Sequence, residues 1–273
     1  MMHRKKHRGL ALLTAAGGLT LLLGRTDRLT TVTYPANTGK LTHPLRLALV
    51  TDLHSCRYGT DQRELLDAIA RQAPDALLLG GDILDDHLPR APGEQFVTQA
   101  ARRWPTFYVT GNHEYRTGEI DGIKRFLTQA GVTILSGDCV SFSAKGQTIQ
   151  LCGADDPEVI GQAAMNAQLA QGAAAADREI CTVLLAHRPE LISLYRAYPF
   201  DLILSGHAHG GQWRIPGLIN GLLAPGQGLF PAYAGGRYEF TDCTFIVSRG
   251  LARETTRVPR LFNPPELVII ALT

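Results

Sequence analysis

Five short apolar runs organise this chain: Leu45 to Val50, Ala76 to Leu79, Thr106 to Val109, Cys181 to Leu185 and Phe200 to Leu204. Each is rich in Leu, Val or Ile and has the length of a buried sheet strand. Just beyond their ends stand Asp52-Leu53-His54, Gly81-Asp82-Ile83-Leu84-Asp85, Gly111-Asn112-His113-Glu114, Ala186-His187-Arg188 and Gly206-His207-Ala208-His209, which together hold five of the nine histidines. If the strands are neighbours in one sheet and run the same way, all five ends open onto one edge, where open α/β sheets place their ligands. Such a chain is constrained to an α/β fold with its chemistry at the strand ends.

Neutral imidazoles and hard oxygen donors that converge on one point describe a metal site, and strand ends can supply more of them than one helix or loop. Glycines at Gly80, Gly81, Gly111 and Gly206 suit a backbone that turns sharply or passes close to a bound group. An Asp-x-His or a Gly-Asp pair alone carries little; the ordered set of five carries the inference. The donors are all nitrogen and oxygen, which excludes soft thiolate sites and leaves Mn²⁺, Fe²⁺/Fe³⁺ or Zn²⁺, with Mn²⁺ preferred. Two such cations about 3.5–4 Å apart can turn a shared water into hydroxide, hold a phosphoryl oxygen and stabilise an in-line displacement.

The motifs resemble those of the calcineurin-like metallophosphoesterase superfamily: DxH, GDxxD, GNHE, a solitary His and GHxH, in that order, over residues 45–273. The run GHAHGGQ at 206–212, Ser248-Arg249-Gly250 and the Pro264 to Leu267 tail are similar to bacterial membrane-associated phosphodiesterases of the YaeI type. The resemblance implies a four-layer α/β sandwich, two mixed β-sheets flanked by helices. It implies one metal on Asp52, His54 and His209, a second on Asn112, His187 and His207, and Asp82 bridging both. His113 is implied as the proton donor beside the substrate, with Asp85 and Glu114 orienting ligand imidazoles or His113. The implied activity is hydrolysis of a phosphodiester, lipid-linked ones or pyrophosphates included, by a metal-bridging hydroxide. A phosphomonoesterase or protein phosphatase, a UDP-diacylglucosamine-type pyrophosphatase and a non-enzymatic scaffold are the alternatives. Retention of His113 argues against the scaffold.

Length and a net charge of +2 allow one large domain and give no global reason to bind nucleic acid. The basic excess is local: Arg4, Lys5, Lys6 and Arg8 precede an uncharged stretch from Gly9 to Gly24. This reads as a targeting or anchoring segment over 1–29, followed by a juxtamembrane segment over 30–44. Without a small-x-small site after Leu23, an uncleaved anchor in the bacterial inner membrane is expected, with the catalytic domain on the periplasmic side. A secreted or periplasmic protein after signal cleavage is the alternative. Five widely spaced cysteines without CxxC argue against a disulfide framework and are expected to act as buried apolar residues.

Helices are expected over 61–72, 95–103, 120–130 and 158–176, and further strands over 133–135, 140–144, 148–151, 243–247 and 267–272. Residues 217–236 are rich in Gly, Pro and apolar side chains. They form either a wall for a small-molecule or lipid phosphodiester or a loop folded into the core. Arg188, Arg214 and Arg249 lie near the motifs and are candidates for holding a non-reacting phosphate.

Overall fold

The computed structural model describes residues 27–253 and 259–273. In chain order the strands are β1 (Thr30–Ala36), β2 (Leu45–Val50), β3 (Ala76–Gly80), β4 (Thr106–Val109), β5 (Thr133–Ile134), β6 (Cys139–Ala144) and β7 (Gln147–Ala154). They continue with β8 (Cys181–Ala186), β9 (Leu202–Ser205), β10 (Leu223–Ala224), β11 (Gly228–Leu229), β12 (Gly236–Glu239), β13 (Thr244–Val247) and β14 (Glu266–Leu272). The helices are α1 (Arg63–Arg71), α2 (Ala91–Ala101), α3 (Asn112–Arg116), α4 (Ile120–Gln129), α5 (Pro157–Ile160), α6 (Gln162–Ala175) and α7 (Ile192–Tyr195).

Two six-stranded mixed sheets face each other, in the orders β1-β14-β2-β3-β4-β5 and β12-β13-β9-β8-β7-β6. Leu47, Leu49 and Leu78 of the first sheet pack with Leu151, Val183, Leu185 and Leu204 of the second in one buried cluster. The strands therefore carry apolar side chains on both faces, because α1, α2 and α4 cover the outer face of the first sheet and α6 that of the second. This is the expected four-layer sandwich. The single shared sheet edge is corrected: β2, β3 and β4 belong to one sheet and β8 and β9 to the other, so the ligands converge from two facing sheets.

Several boundaries differ for local reasons. The segment read as juxtamembrane supplies β1, whose seven residues pair in parallel with β14, so the domain includes it. Residues 1–26, with the basic and apolar stretches, lie outside the described residues. Among the described residues no helix is long and apolar enough to cross a membrane. The helix expected from Asp61 starts at Arg63, because Gln62 adopts φ 62°. Its buried amide ties together Tyr58, Cys56 and Pro92. The helix expected over 158–176 breaks at Gly161, φ 81°. The cysteine expectation also needs correction. Cys139 and Cys152 stand opposite each other on antiparallel β6 and β7 and form a disulfide, with Cα atoms 4.0 Å apart. Cys181 and Cys243 are buried thiols as expected.

Candidate dinuclear metal centre

The ends of β2, β3 and β4 and those of β8 and β9 bring the five motifs together. Backbone hydrogen bonds lace the loops: Asp52 N–H donates to Gly81 O, His54 N–H to Asp82 O and Gly206 N–H to His187 O. Asp52, His54, Asp82, His207 and His209 all adopt positive φ, between 47° and 64°. Such left-handed backbone costs on the order of 1–3 kcal/mol per residue and persists only where surrounding structure enforces it. Crowding explains two glycines: a Cβ on Gly111 would lie 2.2 Å from Asp82 Oδ1, and one on Gly206 2.6 Å from Asp52 Oδ2.

The donors form three groups, Asp52 with His54 and His209, Asp82 with His187 and His207, and, at the edge, His54 with Asp85 and His113. Asp82 touches the first two. Its Oδ1 accepts the His113 N–H at 2.8 Å, while its Oδ2 lies 3.7 Å from His54 Nε2 and 3.1 Å from His187 Nε2. His209 Nε2 is 3.7 Å from Asp52 Oδ1, and His207 Nδ1 is 3.2 Å from His187 Nε2. Donors bound to one ion at about 2.0–2.2 Å stand roughly 3.0–3.5 Å from one another.

Burial without partners tests whether a metal fits. His54 Nε2, Asp82 Oδ2, Asn112 Oδ1 and His209 Nδ1 are buried and make no hydrogen bond. Each such atom would cost about 1–3 kcal/mol if nothing met it. The ring nitrogens are poised as lone pairs: His54 Nδ1 faces Asp85 Oδ2 at 2.8 Å, and His187 Nδ1 faces Gly80 O at 2.8 Å. Each proton therefore sits on Nδ1 and leaves Nε2 for an ion. Charges agree. Burial works against ionising His187, yet Asp82 raises its pKa to about 10, and Asp82 is held low by His187 despite its own burial. Burial and the neighbouring imidazoles keep His207 and His209 neutral. The residues present thus fit two divalent cations of the hard or borderline kind.

The remaining expected residues divide. Asp85 takes the orienting role, holding His54 and its own loop through the His87 and Leu88 N–H groups. Glu114 orients no imidazole: its carboxylate accepts from the N–H groups of Asp82, Ile83, Leu84 and Gly111, clamping the loop that carries Asp82. Burial, with the Asp82 charge, lifts its pKa to about 7. His113 is part-buried at the edge of the site, its ring 4.3 Å from that of His54. Its Nδ1 bonds Asp86 at 2.6 Å, a partner that sequence reasoning missed although Asp86 adjoins Asp85. Glu190, also missed, lies 4.0 Å from His207 Nε2.

The three arginines differ in their partners. Arg188 forks onto Asp156 at 2.6 and 3.1 Å and reaches Glu158 at 2.8 Å. Arg249 is tied to Glu266, and Arg214 donates to Asn220 at 2.5 Å. Arg188 and Arg249 are thus committed to carboxylates, whereas the part-exposed Arg214 meets only a neutral amide.

Asp85→Asn is expected to weaken metal binding about 10–100-fold, the usual effect of losing a carboxylate behind a ligating imidazole. A titration of activity against free Mn²⁺ reads this directly, and an unchanged midpoint would remove the role assigned to Asp85.

With this geometry in hand, comparison with known proteins is decisive. Residues 45–211 match the family of calcineurin-like phosphoesterases. The chain belongs to that family. Escherichia coli phosphodiesterase YaeI is 29% identical over 215 residues, covering 76% of this chain and 75% of that protein. An uncharacterized Helicobacter pylori metallophosphoesterase is 32% identical over 182 residues, covering 65% of this chain. The chain spans 48% of that protein's length, so it corresponds to about half of it. A dimetal phosphatase from Danio rerio is 15% identical with a TM-score of 0.48, covering 76% of this chain and 88% of its own. The calcineurin-like phosphoesterase assignment rests on the matched span, which contains all five motifs.

Proposed function

We propose that the protein hydrolyses phosphodiesters. The observation that carries this reading is the commitment of Arg188 and Arg249 to the carboxylates of Asp156 and Glu266. A phosphomonoester dianion or a pyrophosphate brings extra charge that enzymes commonly meet with a bidentate arginine, whereas a phosphodiester brings one negative charge. The carboxylates of Asp86 and Glu190 beside the donor groups favour the substrate of lower charge as well.

Two divalent cations, of which Mn²⁺ is our preferred identity, would supply an activated water and a Lewis-acid hold on the phosphoryl oxygens. Asp52, His54 and His209 would hold one, Asn112, His187 and His207 the other, and Asp82 both. Asp85 and Gly80 O keep the His54 and His187 lone pairs aimed inward. Asp86 fixes the His113 ring, leaving Nε2 free to give a proton to the departing alkoxide.

Purified protein loaded with Mn²⁺ is expected to cleave bis-p-nitrophenyl phosphate faster than p-nitrophenyl phosphate, and chelation should abolish both activities. Faster cleavage of the monoester would replace this reading with that of a phosphomonoesterase.

A further inference from the structure

Of the eight large apolar side chains exposed among the described residues, all but Tyr115 belong to residues 213–230 or to Phe262. Leu218 is 79% exposed, Leu229 67% and Phe230 65%. Singly scattered apolar residues need no explanation, but a contiguous group marks an interaction surface. Backbone bonds establish the continuity. Leu222 N–H donates to Trp213 O and Phe230 N–H to Leu222 O, Leu223 pairs with Leu229, and Trp213 pairs with Leu261 beside Phe262. From 213 to 236 the only charged residue is Arg214, and it is turned onto Asn220.

This face adjoins the metal donors on two sides. Asn263, next to Phe262, donates to His209 O at 2.7 Å. Gly226, in the β10–β11 turn, lies so close to Glu190 that a Cβ there would be 2.2 Å from its Oε1, and that oxygen is 4.0 Å from His207 Nε2.

The place where the chain enters the domain identifies the cover for this face. Asp27 O accepts from Arg253 at 3.0 Å, and Pro259 O, six residues further along, accepts from Trp213 Nε1 at 2.9 Å. Six residues span at most about 20 Å. The uncharged Gly9 to Gly24 stretch, with its basic residues before it, ends three residues before Asp27. The segment read as an anchor thus enters the domain within about 30 Å of Trp213, counting the Arg253 side chain, and a Trp/Phe/Leu surface is the kind that enters the interfacial layer.

We propose that the Trp213–Phe230 face docks onto a lipid bilayer and holds the metal centre against a phosphoester carried at the membrane surface. The docking stands on exposure and chain entry alone; only the nature of the lipid-borne substrate rests on the phosphodiesterase reading.

The test uses the full chain reconstituted into vesicles of phosphatidylcholine and phosphatidylglycerol. The chain has two tryptophans, so Trp104→Phe leaves Trp213 as sole emitter. Its fluorescence is expected to be quenched when the phosphatidylcholine is brominated along its acyl chains. Adding Leu218→Ser, Leu229→Ser and Phe230→Ser should abolish the quenching without changing hydrolysis of soluble bis-p-nitrophenyl phosphate, which also reports correct folding. Absence of quenching in protein that sediments with the vesicles would overturn the proposal, whether water, a second copy or residues 1–26 cover the face. Quenching in a protein inactive on the soluble diester would support docking and refute the phosphodiesterase reading instead.

Discussion

Asp82→Asn is expected to lower phosphodiester hydrolysis by about 10³-fold or more, since the charge stabilisation a metal pair provides is worth several kcal/mol and each 1.36 kcal/mol is tenfold in rate. The two carboxylate oxygens have different tasks. Oδ1 accepts the His113 N–H, and an amide oxygen can keep that bond, so the loop should stay in place. Oδ2 is the atom without a partner, set between His54 Nε2 and His187 Nε2. An amide nitrogen there would donate to the His187 lone pair that a cation needs. The variant should therefore fold, bind fewer than two metals by elemental analysis, and lose activity. Retention of two metals with full activity would remove Asp82 from the centre of the site.

Much of this site was legible in the sequence because its donors sit directly after strand-like runs, and local pattern marks both the strand and the turn at its end. Asp52, Asp82, Asn112, His187 and His207 each lie one to three residues beyond β2, β3, β4, β8 and β9. The features that escaped depend on partners distant in sequence. Arg188 reads as a free cation beside a metal-binding histidine until Asp156, 32 residues away, is brought against it. Cys139 and Cys152 pair because the turn at Lys145-Gly146, with φ 52° and 73°, sets the register of β6 and β7. β1 was hidden by its half-exposed alternation and by Pro35, which an edge strand tolerates because its outer side needs no donor. Hydropathy could not say whether residues 217–236 face the core or the solvent, because apolar residues occur in both places.

His113→Ala is expected to lower the turnover of an alkyl phosphodiester by about 10²–10⁴-fold, the contribution of a positioned general acid. The ring is part-buried and not among the unpartnered buried donors, and its Nδ1 is taken by Asp86. Both metals should therefore remain after the substitution. Its place against His54 puts it at the edge of the donor group, where Nε2 can reach a leaving oxygen. The distinguishing reading is the dependence on leaving group. A nitrophenolate departs without a proton, so bis-p-nitrophenyl phosphate should lose far less rate than the alkyl diester when His113 is removed. Asp86→Asn should move the same ratio in the same direction, since a ring without its carboxylate partner is less well aimed. Equal losses on both substrates would mean that His113 holds the phosphoryl group rather than protonating the departing oxygen, and loss of a metal in His113→Ala would mean that it supports the donors through the backbone bond to Asp82.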